Sequence, residues 1–193
     1  MAALMLILSG AVWMLAASAA RYGLAIVQLD SGQPAAAEET LAPLLDNSPL
    51  EPFYIDVESD ILINQQRYDE ALAMLEHAYI RRPNEEVITI NYANAAIKAG
   101  QPRLSIKLLR DFLLREPKHL LALQILSDAY RDVGDIAQMY ETNAEVIALY
   151  GGFRNAIDQL HTAYTRTDND LTKKRIQARI EQMREMEQRA RTL

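Results

Sequence analysis

The sequence predicts an all-α fold, a solenoid built from antiparallel helix pairs. Pro49, Pro83 and Pro117 recur at intervals of 34 residues. Small residues recur at equivalent places between these prolines, and no stretch shows the alternating apolar pattern of a β-strand. A fixed period of this length is typical of stacked helical repeats, in which each unit buries its apolar face against its neighbours.

The repeat divides into units of 34 residues that begin at Ser18, Pro52 and Glu86. Each recurring proline ends the second helix of its unit, because it lacks an N–H and disfavours helical geometry in the residue before it. Small residues at positions 8 and 20 let the two helices approach closely, and leucine at position 24 fills the space between them. This is the tetratricopeptide signature. The small residues are Ala25, Ser59, Ala93, Ala37, Ala71 and Ser105, and the leucines are Leu41, Leu75 and Leu109.

Turn residues divide these three regular units into helices. Gly32 and Gly100 provide left-handed helix ends, and a proline two residues after each glycine starts the next helix. The second unit turns at residues 65–68 without a glycine. The expected helices span about 22–30, 34–46, 53–64, 69–82, 85–98 and 102–115.

After Pro117 the repeat becomes irregular. Met139 occupies position 20 of the fourth unit and is too bulky for a close helix crossing. The helix that contains it resembles the first helix of a further pair, so a fourth and a fifth unit share one helix. Asp168-Asn169-Asp170 can cap a last, long helix, which we expect at residues 169–193 to cover the end of a solenoid at 21–168. The expected helices span about 119–132, 136–150, 153–166 and 171–191.

Residues 1–20 contain no charged side chain, and three interpretations of this apolar leader stay open. A core of apolar residues followed by Ala17-Ser18-Ala19 is typical of a secretory signal peptide, although no Lys or Arg precedes it. A stretch of 20 apolar residues can also just cross a bilayer as an anchor, which would be the chain's membrane contact. The third interpretation is an artificial or truncated start that extends the first helix.

The composition excludes several classes of function. The chain has no Cys, so it carries no disulfide and no thiol chemistry. Residues 1–168 hold 22 acidic and 13 basic side chains, which argues against binding of nucleic-acid phosphates. Basic and acidic residues alternate in the tail and predict a solvated helix face. With no phosphate-binding loop or nucleophile–base set, we expect no catalytic residue, metal, cofactor or small-molecule substrate.

Local sequence within the repeats is more specific than the period. Residues 21–193 resemble, in order, the C-terminal tetratricopeptide half of the β-barrel assembly-enhancing protease family, periplasmic zinc metalloproteases of Gram-negative bacteria. The segments that carry the resemblance are Arg21-Tyr22-Gly23-Leu24-Ala25, Leu41-Ala42-Pro43-Leu44-Leu45, Pro52-Phe53-Tyr54-Ile55-Asp56, Asn91-Tyr92-Ala93-Asn94-Ala95, Ala99-Gly100-Gln101-Pro102 and Ala178-Arg179-Ile180-Glu181-Gln182-Met183.

The resemblance implies a periplasmic role in which this half engages the outer-membrane β-barrel assembly machinery and its unfolded substrates. The family's catalytic half binds zinc through His-Glu-x-x-His, a motif that places two His ligands on one helix face. That motif does not occur here, since His77, His119 and His161 lie far apart in the sequence. No protease chemistry, and no zinc site, is therefore transferred to this chain.

Tetratricopeptide stacks bind partners on the face formed by the first helix of each pair, here called the A helices. We expect polar residues on this face to hold an extended or helical segment of a protein partner, with amide side chains donating to and accepting from its backbone. The predicted binding residues are Phe53, Asp56, Asp60, Asn64, Asn91, Asn94, Lys98, Gln124, Asp128 and Arg131.

Together these observations predict a non-catalytic protein-interaction module in the periplasm. Two alternatives stay open. The chain is the C-terminal fragment of a complete zinc metalloprotease, or it is a tetratricopeptide assembly factor that residues 1–20 anchor to the inner membrane, facing the periplasm.

Overall fold

A computed structural model describes residues 2–191 of the chain and the side chains of residues 15–190. Ten α-helices and no strands occur within these residues. In chain order they are α1 (Ala2–Asp30), α2 (Pro34–Asn47), α3 (Pro52–Asn64), α4 (Tyr68–Arg81), α5 (Glu86–Lys98), α6 (Pro102–Leu113), α7 (Leu120–Asp132), α8 (Ile136–Leu149), α9 (Phe153–Thr165) and α10 (Asp170–Arg191).

The helices confirm the predicted all-α solenoid elements. Apart from the start of α1, every observed helix end lies within two residues of its expected position. Pro34, Pro52 and Pro102 stand in the first turns of α2, α3 and α6, where a missing N–H costs no helical hydrogen bond. Asn169 caps α10, because its side-chain oxygen accepts a hydrogen bond of 2.9 Å from the backbone N–H of Thr172.

The apolar leader is continuous with the first repeat helix, because α1 runs without interruption from Ala2 to Asp30. The predicted boundary at residue 20 falls inside this helix and stays a prediction. Most of the leader's side chains, those of residues 1–14, lie outside the described part, so its three interpretations also stay open. Within the described residues, no helix combines the length and apolar character needed to cross a membrane.

Left-handed residues close the turns between paired helices. Gly32, Gly100, Gly134 and Gly151 have φ between 73° and 77°. In the second 34-residue repeat, Gln66 takes the same place with φ 61°. The N–H of Gln66 donates to the carbonyl of Ile63, and the N–H of Arg67 donates to the carbonyl of Leu62. These two bonds form the Schellman motif. The second repeat therefore makes the usual turn with Gln66, whose side chain disfavours the left-handed conformation.

Replacing Gln66 by Gly should stabilise the protein by about 0.5–1 kcal/mol. The left-handed conformation costs a non-glycine residue about 1–2 kcal/mol, and the greater freedom of glycine in the unfolded chain offsets part of that gain. Urea unfolding followed by far-ultraviolet circular dichroism measures the change. The matched control is Gln101→Gly. Gln101 follows a turn glycine, but its own φ is −111°, so this substitution should not stabilise the protein. Equal or lower stability of the Gln66 variant would show that this turn carries no strain.

Two compact units divide the chain between Asn91 and Tyr92. In the first unit, α1 packs on α2, α2 on α3 and α3 on α4, and α1 also touches α3. Ala25 of α1 and Ala37 of α2 are completely buried, as expected of the small positions in a close helix pair. They pack with Leu41, Leu44, Val57 and Ile61 in one core cluster. The predicted register of the repeat is therefore the observed one in this unit.

In the second unit, α6 packs on α7, α7 on α8, α8 on α9 and α9 on α10. The helix α8 thus has a partner on each side, as predicted for a helix shared by the fourth and fifth units. A second core cluster joins three of these helices through Ala144, Ala156, Ile157, Leu160, Ala163, Ile176, Ile180 and Met183. The buried Ile176, Ile180 and Met183 form the narrow apolar stripe of α10 that docks on this cluster.

Two arginines hold α10 against α8. The Arg175 guanidinium donates to both carboxylate oxygens of Glu141, at 2.9 and 2.8 Å, and Arg179 donates to both oxygens of Glu145. Each pair is separated by 34 residues, which is the repeat period. The prediction that the tail is a solvated helix face is therefore incomplete, because these two arginines bind a neighbouring helix.

Neutralising Glu145 with Glu145→Gln should loosen α10 and destabilise the protein by about 1 kcal/mol. Two parallel N–H···O bonds between Arg and carboxylate are stronger than an ordinary surface ion pair, although partial exposure of both side chains reduces the effect. Hydrogen exchange of the α10 amides should become faster. The control is Glu185→Gln, which removes a pair with Arg189 that is largely exposed. Unchanged exchange in the Glu145 variant would mean that the apolar stripe alone fixes the helix.

Candidate partner-binding face

The helix α3 presents the best-formed part of the predicted binding face. Phe53, Asp56, Asp60 and Asn64 follow one another at helical spacing of three or four residues, so they lie along one side of the helix. Phe53 is 58% exposed although it is a large apolar residue, and Asp60 and Asn64 are also exposed. Ile55, Ser59 and Leu62 on the opposite side of α3 are buried, and so are Val57 and Ile61. The structure therefore brings these four predicted residues together.

Asn91 differs from the other predicted residues because it is only 9% exposed. Its side-chain nitrogen donates a hydrogen bond of 2.6 Å to a carboxylate oxygen of Asp56. The amide thus holds Asp56 in place on the first unit, and that donor is occupied before any partner arrives. Direct contact of Asn91 with a partner stays a prediction, and the structure shows that its side-chain nitrogen supports the carboxylate of Asp56.

Three acidic side chains, those of Glu51, Asp56 and Asp60, create a negative field along the exposed side of α3. Partial burial raises the pKa of Asp60 above its ordinary value, and the nearby Asp56 carboxylate raises it further. Burial also raises the pKa of the Tyr22 hydroxyl, with contributions from Asp56, Tyr54 and then Glu51. Both shifts share an electrostatic cause, since negative charge disfavours a further negative charge. The same field favours a cation placed on this surface.

The remaining predicted residues lie in the second unit. Asn94 is partly buried and Lys98 is exposed on α5, while Gln124, Asp128 and Arg131 are exposed on α7. Asp128 and Arg131 form an ion pair one helical turn apart, so they neutralise each other's charge. An exposed pair of this kind contributes little to stability. With this pair neutral, Lys98 gives the five residues a net positive charge, whereas the start of α3 is negative.

Two aromatic residues beside this surface, Tyr22 of α1 and Tyr54 of α3, are not among the predicted binding residues. The rings of Tyr22 and Tyr54 lie 5.6 Å apart, and both line a pocket together with Phe53 and Glu51. Their recurrence in successive A helices was the available signal. That spacing shows that the two rings meet, but it does not show that a pocket remains open beside them.

The histidines have the structural roles expected of helix residues. The Nδ1 atom of His119 accepts a hydrogen bond of 3.1 Å from the N–H of Ala122 and so caps α7. Its ring also meets the edge of Phe112, with centroids 5.1 Å apart. His77 and His161 are exposed. In the part of the chain that the structure describes, no three His, Asp or Glu side chains converge as metal ligands.

Fold and sequence together define the class of protein. Family profiles described as tetratricopeptide repeat match residues 62–128 and residues 18–43. A MamA structure that starts at residue 41, from Desulfovibrio magneticus RS-1, is similar with a TM-score of 0.60 and 16% identity, over 89% of this chain and 96% of that one. A thermophilic tetratricopeptide protein of Thermus thermophilus is similar with a TM-score of 0.55 and 15% identity, over 86% and 98%. The chain thus contains tetratricopeptide repeats in the matched residues, and the solved structures share its fold.

A more specific relationship is shown by relatives whose sequences are about 30% identical to this chain. The β-barrel assembly-enhancing protease of Yersinia pestis is 32% identical over 174 residues, which are 90% of this chain and 36% of that protein. The protein of the same name from Shigella flexneri is 30% identical over 172 residues, or 89% and 35%. This chain is thus homologous to the tetratricopeptide part of the β-barrel assembly-enhancing proteases, which confirms the resemblance, and it spans about a third of their length.

Proposed function

We propose that this chain is a non-catalytic protein-interaction module that works in the Gram-negative periplasm. Its partners are the outer-membrane β-barrel assembly machinery and the unfolded outer-membrane proteins that this machinery receives. The observation that carries the proposal is the relationship, over nine-tenths of the chain, to proteases named for enhancing β-barrel assembly. The exposed Phe53, Asp60 and Asn64 on α3 support it, because they provide mixed apolar and polar contacts for a peptide.

The proposed contact surface has a direct test in partner capture. The double variant Asp60→Ala and Asn94→Ala changes one A-helix residue in each compact unit. The affinity-tagged protein is crosslinked in the envelope and its partners are identified by mass spectrometry. We expect proteins of the outer-membrane assembly machinery with the unaltered chain and a clear loss with the double variant. Unchanged capture by a folded double variant would contradict the proposal.

A matched control makes that result specific. The double variant Glu76→Ala and Lys107→Ala also changes one exposed polar residue in each unit, but on the second helices, α4 and α6. We expect it to capture the same partners as the unaltered chain. Circular dichroism verifies that both double variants keep their helical content, so that loss of capture is not loss of fold.

Two other arrangements of the same module lead to different observations in the source bacterium. If the natural protein is a complete zinc metalloprotease, an antibody against residues 21–193 should detect a band more than twice the size of this chain. If residues 1–20 anchor the chain, the protein should stay in the membrane pellet after a carbonate wash. A periplasmic band slightly smaller than the chain is the result expected for a cleaved signal peptide and a separate adaptor.

A further inference from the structure

A pocket of about 310 Å³ opens in the first unit between α1 and α3. We call it the α1–α3 pocket. Tyr22 and Leu15 line it from α1, Phe53 and Tyr54 line it from α3, and Glu51 lines it from the end of the preceding loop. It lies at the start of the α3 binding face, because Phe53 belongs to both. Among the described side chains, those that line the pocket include no positive charge.

The walls of the pocket are mainly apolar and aromatic. Phe53 and Leu15 are more than half exposed, although burial of such side chains is favourable. The Tyr22 and Tyr54 rings, which line the pocket from α1 and α3, lie 5.6 Å apart at an angle of 47° to each other. Three aromatic rings around one opening supply the negative π-faces that attract a cation.

The charges around the pocket are negative and incompletely matched. Glu51 lines it directly, and its side chain makes no capping hydrogen bond to α3. Asp56 is close enough to Tyr22 to raise the pKa of its hydroxyl, and it accepts one hydrogen bond, from the neutral amide of Asn91. The guanidinium of Arg82 reaches the neighbouring loop, but it donates to the Leu50 carbonyl at 2.7 Å and pairs with Glu85. The pocket thus combines aromatic walls with the Glu51 carboxylate, and Asp56 adds negative charge near Tyr22.

We propose that the α1–α3 pocket receives an arginine or lysine side chain from a basic, partly apolar segment of the partner. Arginine fits best, because its planar guanidinium stacks on aromatic rings and can donate two parallel hydrogen bonds to one carboxylate. The exposed apolar side chains, Phe53 and Leu15, cover the apolar residues that flank the cation. This proposal rests on the proposed function in so far as the ligand is part of a protein.

The test uses a synthetic peptide in which arginine alternates with leucine, and a twin in which citrulline replaces each arginine. Citrulline has nearly the same shape as arginine and no charge. Fluorescence anisotropy should show saturable binding of the arginine peptide to the full chain and binding at least about tenfold weaker for the citrulline peptide. Phe53→Ala and Glu51→Gln should each weaken binding of the arginine peptide by about three- to tenfold.

Variants on α4 provide the controls, because the acidic chain attracts any basic peptide to some extent. Ile80→Ala removes an equally exposed apolar side chain, and Glu76→Gln removes one surface charge. Neither should change the affinity by more than about twofold. Equal losses in the pocket and control variants, or equal binding of the two peptides, would overturn the proposal.

The outcome can be separated from that of the proposed function. Capture of the assembly machinery in cells together with failure of the peptide test overturns the pocket and leaves the module's role intact. Specific binding of the arginine peptide without capture of that machinery supports the pocket and contradicts the proposal that the assembly machinery is the partner.

Discussion

Truncating Leu75 or Leu109 to alanine should destabilise the protein by about 2–5 kcal/mol in each case. Both leucines stand at position 24 of their repeat, and both are 0% exposed. Removing three carbons from a site without solvent leaves a cavity in addition to the lost transfer free energy. Because a folded domain of this kind has a total stability of roughly 5–15 kcal/mol, each loss is a large fraction of it.

Denaturant unfolding followed by circular dichroism measures these losses, and hydrogen exchange locates them. In a solenoid each repeat contacts its neighbours, so the Leu75 variant should loosen α3 and α4, and the Leu109 variant should loosen α6 and α7. Leu114→Ala is the matched control, because this leucine is 83% exposed and should change stability by less than about 0.5 kcal/mol. Losses below that value at both buried leucines would show that the register of the repeats is wrong.

Glu58 should make the stability of the first unit depend on pH. Glu58 lies on α3 and its side chain is partly buried. The carboxylate oxygen Oε2 is shielded from solvent and has no hydrogen-bond partner. Burial raises the pKa of Glu58 to about 7, with a further increase from Glu38 and Glu70 and a decrease from Arg67. Arg67 cannot fully compensate, because its guanidinium already binds the carboxylates of Glu38 and Glu70.

The direction of the pH effect follows from the raised pKa. In the unfolded chain the proton leaves near pH 4.5, whereas in the folded protein it stays until about pH 7. The folded state therefore binds more protons in this window, and the stabilisation present below pH 4.5 is lost as the pH rises through 7. Each pKa unit corresponds to about 1.4 kcal/mol, so the loss reaches up to about 3 kcal/mol.

The variant Glu58→Gln isolates this effect, because all other groups titrate equally in both proteins. Near about pH 8 the variant should be more stable than the unaltered chain by up to about 3 kcal/mol, and near about pH 4 the two should be nearly equal. Urea unfolding across this range measures the difference. Glu76→Gln, at an exposed position on α4, controls for removal of one acidic charge. A stability difference that stays constant with pH would refute the raised pKa of Glu58.

The sequence predicted most of the fold because the helix ends are encoded locally. Prolines at the first turns and glycines at the left-handed turns placed the helices to within two residues, and α8 was correctly predicted to serve two neighbours. The turn at Gln66 was predicted without knowing that this residue itself adopts the left-handed conformation. That detail depends on the competition between backbone strain and the packing of α3 on α4, which no local pattern reveals.

The binding face was predicted less completely, because helical periodicity gives the direction of a side chain but not its neighbours. Asn91 and Asn94 occur in similar patterns, yet Asn91 is buried against Asp56 and Asn94 is partly exposed. Arg131 reads as a free cation in the sequence, whereas it pairs with Asp128. Glu58 looks like an ordinary helix acid, and its pKa becomes unusual only where α2, the turn at Arg67 and α4 bring Glu38, Arg67 and Glu70 close.

The central claim is that the A-helix face of the repeats contacts the outer-membrane assembly machinery. Photocrosslinking in living cells tests it most directly, with a photoreactive amino acid placed at Phe53 and, in a separate strain, at Glu76 on α4. We predict that the Phe53 position crosslinks to proteins of the assembly machinery and that the Glu76 position does not. Identical crosslinks from both positions, or none to that machinery from Phe53, would contradict the claim.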